Sequence, residues 1–133
     1  GFGGNEYTSE AAQRLLNEAA KYLGTPYVWG GYSPSGFDCS GFIYYIYKSC
    51  GYSISRSLSA QANTGTAVSK SELQAGDIVF FNNTSSGALG HVGIYIGNGT
   101  MIHAANSKRG VVTDTINSGY YNTYYYTARR IAY

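Results

Sequence analysis

Apolar side chains recur at helical spacing in the first part of the chain. Thr8 or Ser9 can cap the start of this segment, and Gly24 followed by Pro26 predicts its end. The i, i+3, i+4, i+7 spacing of an amphipathic helix is followed by five residues: Ala12, Leu15, Leu16, Ala19 and Leu23. The pattern therefore predicts a first helix that ends at Leu23.

A second helix is predicted to begin at or beside the first cysteine and to end at Gly51. Residues 25–38 carry Pro, Gly and Ser at turn-forming positions and predict a long loop before this helix. The Ser-rich connection after it allows a short helix around residues 57–63. The apolar face of the second helix consists of Cys39, Ile43, Ile46 and Cys50.

The rest of the chain consists of short stretches rich in β-branched and aromatic residues, separated by Gly, Asn and Ser. Helices come first and strands follow, which predicts an α+β fold with N-terminal helices packed on an antiparallel sheet of about five strands. Asp77 is expected to fix the turn before the first of them. The predicted strands are DIVFF (77–81), HVGIYI (91–96), TMIHAA (100–105), VVTDTI (111–116) and YYTARRIAY (125–133).

Composition narrows the class of protein. The 133 residues predict a single domain, 1–133, with residues 1–8 as a flexible lead-in. The net charge is only +2 and the basic residues are scattered, which argues against a nucleic-acid partner. Charged residues make up only 12% of the chain, which suits an exported protein better than a cytosolic one. No apolar stretch approaches the ~20 residues of a membrane span. We also expect a monomer. The first residue is Gly, as in a processed form or a fragment of a longer secreted protein.

Cys39 is the candidate nucleophile, in the stretch GFDCSGF (36–42). A helix N-terminus favours negative charge, so we expect a lowered pKa for the Cys39 thiol. Asp38 can cap the helix, and the small residues Ser40 and Gly41 leave room for a substrate. A buried structural cysteine would fit the tetrapeptide Asp-Cys-Ser-Gly equally well, so the assignment depends on a partner base.

The chain contains only two histidines, and both lie on neighbouring predicted strands. A two-residue loop between the strands would place His91 and His103 on opposite faces. A three-residue loop, 97–99, pairs Ile96 with Thr100 and sets His103 opposite Gly93. The two imidazoles then lie on one face within hydrogen-bonding reach, so the three-residue loop is the prediction. The order Cys, His, polar residue is also that of papain-like thiol enzymes.

The second cysteine, Cys50, has a different interpretation. A helix from Cys39 to Cys50 would separate the two residues by ~16 Å, beyond the ~7 Å that a disulfide allows between Cα atoms. Both thiols are therefore predicted to be free, with Cys50 as inert core.

In this order and spacing, several stretches make the chain similar to the NlpC family of papain-like cell-wall endopeptidases over residues 11–133. Members are secreted or surface-held enzymes that cut peptidoglycan stem peptides between D-isoglutamate and the diamino acid without a metal or other cofactor. The stretches are GTPYVWGG (24–31), GFDCSGF (36–42), Arg56-Ser57 with Gln61, AGDIVFF (75–81), HVGIYIGNGTMIHA (91–104) and ARRI (128–131).

The resemblance implies roles for individual residues. Cys39 corresponds to the nucleophile, His91 to the general base and His103 to the residue that orients it. Tyr27 corresponds to a tyrosine whose hydroxyl lines the oxyanion hole with the Cys39 backbone N–H. The implied substrate-binding residues are Asp38, Ser40, Arg56 and Ser57, for which capping and loop roles stay equally open.

Three alternatives remain open at this point. Cys39, His91 and His103 with a water could form a tetrahedral zinc site, although no C-x-x-C or H-E-x-x-H pattern is present. The tyrosines of residues 118–126 could bind the wall in a non-catalytic module, but an edge strand without a binding role is the favoured interpretation. Amidase or acyltransferase chemistry could use the same three residues.

Overall fold

The structure is a computed structural model that describes residues 8–84 and 86–133. The predicted lead-in, residues 1–8, lies outside the described residues except for Thr8. Within the described ranges, the helices are α1 (Glu10–Ala20), α2 (Cys39–Ser49), α3 (Leu58–Gln61) and α4 (Gly119–Tyr124), with a 3₁₀ turn at Lys70–Glu72. The strands are β1 (Tyr32–Ser33), β2 (Gly36–Phe37), β3 (Thr66–Val68), β4 (Ile78–Asn82), β5 (Leu89–Gly97), β6 (Thr100–Ala104), β7 (Val111–Thr115) and β8 (Tyr125–Arg130).

The first helix starts as predicted but ends three residues early. The side chain of Ser9 accepts a hydrogen bond from the N–H of Ala12 and so caps the N-terminus. Leu23, expected on the buried face, is 47% exposed. The prediction was wrong there because the chain leaves the helix in successive turns and the Gly24 N–H bonds to the carbonyl of Val111, 2.9 Å away.

The main sheet is antiparallel and has the order β3-β8-β4-β5-β6-β7. It therefore has six strands where the sequence predicted about five. The additional strand, β3, is three residues long and lies at an edge with no buried residue, so it carries no apolar alternation that could have predicted it. Likewise β1 and β2 are two-residue strands inside the segment predicted as a loop.

Both faces of the sheet are covered. The larger apolar cluster joins α1 and α2 to one face, where Leu15, Phe42, Ile46, Phe80 and Ile94 are fully buried. A smaller cluster on the other face includes Val79, Phe81, Tyr95 and Met101, with Tyr121 of α4 packed against it. No helix in the described part of the chain is long and apolar enough to cross a membrane.

The tyrosine-rich segment is not an edge strand. Residues 119–124 form α4, and the following β8 lies inside the sheet between β3 and β4. An ion pair with the buried Asp77 closes this region, since Arg130 of β8 contacts Asp77 through two nitrogens at 2.8 and 2.9 Å. Asp77 also accepts a hydrogen bond from the Gln74 N–H, which confirms its predicted role in the turn before β4.

The β5–β6 hairpin combines a correct register with a turn that was predicted wrongly. Tyr95 pairs with Met101, which is the alignment that places both histidines on one face. However, Gly97 rather than Ile96 pairs with Thr100, because a bulge between Tyr95 and Gly97 absorbs one residue. Both residues of the two-residue turn, 98–99, have positive φ, as this turn requires.

Candidate active site

The N-terminus of α2 positions the candidate nucleophile. Asp38 is the N-cap residue, and its Oδ1 accepts a hydrogen bond of 2.7 Å from the Gly41 N–H. Cys39 is therefore the first residue of the helix, as predicted, and it is half-buried. Gly41 is required here because a Cβ at this position would clash with the carbonyl of Gly31.

A network around Asp38 fixes the start of this helix. Oδ2 of Asp38 accepts hydrogen bonds from the Gly30 N–H at 3.1 Å and from Arg56 at 2.8 Å. Arg56 also donates to the Ser40 hydroxyl at 2.7 Å. Gln61, fully buried, donates to the Ser40 carbonyl at 3.0 Å. Three of the implied substrate-binding residues, Asp38, Ser40 and Arg56, are thus brought together and bonded to one another.

The fourth implied substrate-binding residue, Ser57, is the N-cap of α3. Its hydroxyl accepts a hydrogen bond from the Ala60 N–H at 3.4 Å. The capping role that the sequence left open is therefore present.

The electrostatics of the thiol differ from the prediction. Burial is the largest effect and, together with the neighbouring Asp38 carboxylate, raises the pKa of Cys39 to about 11. Hydrogen bonds with the backbone at Ser40, Val92 and Cys39 act in the opposite sense. The expected lowering of the Cys39 pKa by the helix N-terminus is therefore wrong, because burial and the capping carboxylate outweigh it. Cys39 and Cys50 are both free thiols, as predicted.

The two histidines meet on the other side of the site. Nε2 of His91 and Nδ1 of His103 are 2.7 Å apart and share a hydrogen bond. The β5–β6 register, continued by one residue, sets His103 across from Gly93. A Cβ on Gly93 would lie 3.2 Å from the Cβ of His103 and 2.6 Å from the sulfur of Met101. The absence of a side chain at Gly93 therefore makes room for the imidazole pair, as predicted.

Asp114 and Arg109 extend this arrangement, and sequence reasoning missed both. Nε2 of His103, which is fully buried, lies 2.7 Å from Oδ2 of Asp114 on β7. Two nitrogens of Arg109 contact the two carboxylate oxygens of Asp114 at 2.7 and 3.0 Å. The only available signal was the β6–β7 pairing. It sets Val112 opposite His103 and Asp114 opposite Met101, so Asp114 is the diagonal neighbour of His103 on the same face of the sheet.

Tyr121 of α4 is a second missed residue. Its ring centroid lies 5.9 Å from that of His91 in a stacked arrangement and 5.1 Å from that of His103 in an edge arrangement. A cavity of about 470 Å³ opens beside these rings, and it is lined by Gly90, His91, Ala105, Asn106, Arg109, Tyr120 and Tyr121. Tyr121 therefore covers the imidazole pair and contributes a wall of the cavity.

Burial favours the neutral form of both imidazoles. It lowers the pKa of His91 to about 3, with the neighbouring His103 acting in the same direction and Asp114 opposing it. Burial also lowers the pKa of His103, and the hydrogen bond that its Nε2–H donates to Asp114 opposes this shift. At neutral pH the site therefore combines a neutral thiol with neutral imidazoles, not a preformed thiolate–imidazolium pair.

Cys39 approaches the strand that carries His91. Cys39 packs against the apolar cluster that includes Val92, the residue after His91, and the Val92 backbone is one of the groups that act to lower the pKa of its thiol. In the part of the chain that the structure describes, no hydrogen bond joins the thiol to the His91 ring itself; such catalytic contacts often tighten only when substrate binds. Tyr27 lies beside the same thiol, and burial followed by the charges of Cys39 and Asp38 raises the pKa of its hydroxyl. The Tyr27 hydroxyl therefore stays protonated and can donate a hydrogen bond.

The arrangement of the imidazoles also bears on the zinc alternative. The contact between the rings and the contact with Asp114 occupy Nε2 of His91 and both nitrogens of His103, so His103 has no nitrogen left for a metal ion. Within residues 8–84 and 86–133, no group of three or more His, Cys, Asp or Glu side chains is placed to hold a metal ion. The geometry therefore does not fit the tetrahedral ligand set that the three residues could have formed.

The family model, the curated relatives and the solved structures that match this chain all point to one protein family. The family model described as NlpC/P60 family matches residues 24–130. A gamma-D-glutamyl-L-lysine dipeptidyl-peptidase of Bacillus cereus is 43% identical over 127 residues. Among solved structures, an NlpC/P60 family protein of Bacillus cereus has a TM-score of 0.86 at 43% identity and covers 95% of this chain. The NlpC/p60 domain of the peptidoglycan hydrolase SagA has a TM-score of 0.78 at 38% identity and covers 90%.

The lengths of these proteins differ. The chain spans 38% of the length of the Bacillus cereus peptidase and 42% of the Bacillus cereus crystal structure. In contrast, it spans 98% of the SagA domain.

Proposed function

Because the chain belongs to the NlpC/P60 family, we propose that it is a cysteine endopeptidase that cuts peptidoglycan stem peptides between D-isoglutamate and the following diamino acid. The observation that carries the proposal is the arrangement of a thiol at a helix N-terminus that packs on two paired strands, β5 and β6, whose imidazoles share a hydrogen bond. The printed names of the relatives support the substrate class, since they include gamma-D-glutamyl-L-lysine dipeptidyl-peptidases and a peptidoglycan hydrolase.

The reaction begins with a neutral thiol. As the Cys39 sulfur attacks the carbonyl carbon of the isoglutamyl amide, its proton passes to His91, so the base acts during the attack. This order follows from the raised pKa of Cys39 and the lowered pKa of His91. The oxyanion that forms accepts hydrogen bonds from the Cys39 N–H and from the protonated Tyr27 hydroxyl.

The second half of the reaction releases the two products. His91 gives its proton to the nitrogen of the diamino acid, the C–N bond breaks and a thioester remains on Cys39. Water then loses a proton to His91 and attacks the thioester, and the sulfur leaves with that proton. His103 orients the ring of His91 and stabilises its transient positive charge.

The other parts of the proposal concern binding and location. Asp38 and Ser40 hold the free amino end of the stem peptide, and Arg56 lines the pocket with Ser57; Asp38, Ser40 and Arg56 form a hydrogen-bonded network. Because these three side chains are already bonded to one another, we infer that the network shapes the site as well as binding the ligand. The protein acts as a monomer outside the cytosol or on the cell wall, where its substrate is found.

The two cysteines provide a matched test of the thiol mechanism. Purified chain is incubated with defined muropeptides that carry either L-lysine or meso-diaminopimelate, and the products are identified by mass spectrometry. Cys39→Ala should abolish cleavage. Cys50→Ala should retain it, because Cys50 lies at the other end of α2 with its thiol 3.7 Å from the Arg14 carbonyl. Iodoacetamide should inactivate Cys50→Ala as it does the unmodified protein.

Cleavage by Cys39→Ala at the rate of the unmodified protein would refute the thiol mechanism. Release of a different fragment, with the isoglutamyl bond intact, would instead identify an amidase or acyltransferase on the same residues.

A further inference from the structure

The contacts behind His91 form a continuous series. His91 bonds to His103, His103 to Asp114, and Asp114 to Arg109, with distances of 2.7, 2.7 and, for the two Arg109 nitrogens, 2.7 and 3.0 Å. A carboxylate can only accept hydrogen bonds, and the two donors of Arg109 share its oxygens with His103. The direction of every hydrogen bond in the series can therefore be worked out from its outer end.

Asp114 determines which nitrogens carry protons. Because the ionised carboxylate accepts, Nε2 of His103 must be the protonated nitrogen, and a neutral His103 then presents a lone pair at Nδ1. His91 must donate to that lone pair from its own Nε2. Nδ1 of a neutral His91 is then left unprotonated, and it is the one nitrogen of the pair that is free to accept a proton from the thiol.

We propose that Asp114, held by Arg109, is a positioning residue that fixes the tautomers of both histidines and so makes Nδ1 of His91 the base. This inference rests on the proposed function, since it assigns His91 the role of general base. Asp114 touches neither the thiol nor the reacting carbonyl, and it acts through His103 alone.

Arg109 gives the carboxylate a fixed orientation. It binds both oxygens in a two-pronged arrangement, which holds Oδ2 where it can also accept from His103. Burial acts to raise the pKa of Asp114, but the contacts with Arg109 and His103 together outweigh it and hold that pKa below its usual range. Asp114 therefore stays ionised and acts only as an acceptor.

Asp114→Asn should reverse the direction of the hydrogen bonds in this series. Arg109 can only donate, so it would draw the amide oxygen towards itself and leave the amide NH₂ facing His103. His103 would then accept at Nε2 and donate from Nδ1, and His91 would accept at Nε2. The proton of His91 would move to Nδ1, and that nitrogen could then no longer act as a base. Asp114→Asn should therefore lower kcat more than Asp114→Ala, because alanine imposes no direction on the hydrogen bond between the two imidazoles.

The test compares Asp114→Asn, Asp114→Ala and Arg109→Gln with Glu18→Gln as the matched control. Glu18 forms an exposed pair with Lys21 on α1, so this control removes an ion pair away from the site. We expect kcat on the muropeptide to fall on the order of 100-fold for Asp114→Asn and about 10-fold for Asp114→Ala, with KM little changed. Arg109→Gln should lower kcat less than Asp114→Ala, and Glu18→Gln should leave it unchanged.

The ¹⁵N chemical shifts of the imidazoles give a readout that does not depend on activity. In the unmodified protein both rings should show the Nε2–H tautomer, and in Asp114→Asn both should show the Nδ1–H tautomer. Unchanged tautomers in folded Asp114→Asn would overturn the proposal. The proposal would also be overturned if Asp114→Ala lowered kcat by the same factor in a His103→Ala background as in the unmodified protein, because Asp114 would then not act through His103. If the Cys39→Ala test fails while the tautomers still change, the proposed function is wrong and the structural role of Asp114 stands.

Discussion

The site has two sides that are built from similar parts in different ways. The thiol side consists of Cys39, Asp38, Ser40 and Arg56, and the imidazole side consists of His91, His103, Asp114 and Arg109. Each contains one Asp–Arg pair, at 2.8 Å on the thiol side and 2.7 Å on the imidazole side. On the thiol side the carboxylate lies next to the reactive residue in sequence, caps its helix and raises its pKa.

On the imidazole side the carboxylate is distant in sequence and supports the base. Asp114 is 11 residues from His103, and only the β6–β7 pairing brings the two together. An Asp–Arg pair thus has a carboxylate that opposes ionisation of the thiol on one side and, in the proposed mechanism, a carboxylate that orients the base on the other. In that mechanism the thiol needs the imidazole side, because burial and the Asp38 carboxylate raise the pKa of Cys39.

The largest effect should follow from removing the base. His91→Gln keeps a hydrogen-bonding group at this position but cannot take up the thiol proton. We expect kcat to fall roughly 1,000-fold, within the range of general-base contributions. Hydrolysis of a muropeptide is the measurement, and circular dichroism is the control for folding. Retention of more than a tenth of the activity would show that the thiol side is reactive by itself.

Acid should affect the imidazole side through stability. The folded-state pKa of His91 is lowered to about 3, and that of His103 is also lowered, against about 6.5 in an unfolded chain. Between the folded-state and unfolded-state pKa values, the unfolded chain binds more protons than the folded protein. The stability that depends on neutral imidazoles is therefore fully present above about pH 6.5 and is lost as the pH falls. At pH 4 we expect a loss of roughly 3 kcal/mol in the free energy of unfolding.

Urea denaturation between pH 4 and pH 7 measures this loss. His91→Gln, which has no group that titrates in this range at position 91, should show a smaller dependence on pH. An identical dependence in both proteins would assign the acid sensitivity to other groups.

The smallest effect should come from neutralising the carboxylate of the thiol side. Asp38→Asn can still cap α2 but loses the charge that pairs with Arg56, so we expect a destabilisation of about 1 kcal/mol. The thiol should ionise at lower pH, because the charge of Asp38 helps to raise the pKa of Cys39. The rate of iodoacetamide labelling against pH measures the shift, with Cys50 as the internal reference. A labelling profile of Cys39 that does not move would contradict the electrostatic role of Asp38.

The thiol side could be predicted from the sequence because its contacts are local. The N-cap, the nucleophile and the first turn of α2 are consecutive residues, and helix capping has a recognisable pattern. The histidine pair was also predictable, since a hairpin connects the two strands and, of the two registers considered, only one puts both rings on one face. Even there the turn was predicted wrongly, because a bulge can supply the same register as a longer loop.

The remaining features depend on pairing and packing between distant segments. Asp114 resembles any polar residue of a half-exposed strand until the β6–β7 register is known. Tyr121 belongs to a run of tyrosines whose composition favours a strand, but the run folds as α4 over the histidines. The pKa of Cys39 was predicted in the wrong direction, because the sequence shows the helix end but not how deeply the sulfur is buried.

The interior position of β8 has a consequence for the order of folding. This strand pairs with β3 on one side and β4 on the other, so residues 66–68 join the sheet only through residues 128–130. Such long-range pairing closes a large loop, which is slow compared with forming a helix or hairpin. During synthesis, the α2 helix and the histidine hairpin leave the ribosome before β8, so the sheet that supports them is completed last. A nascent chain therefore carries a potentially reactive sulfur for some time before its scaffold is finished.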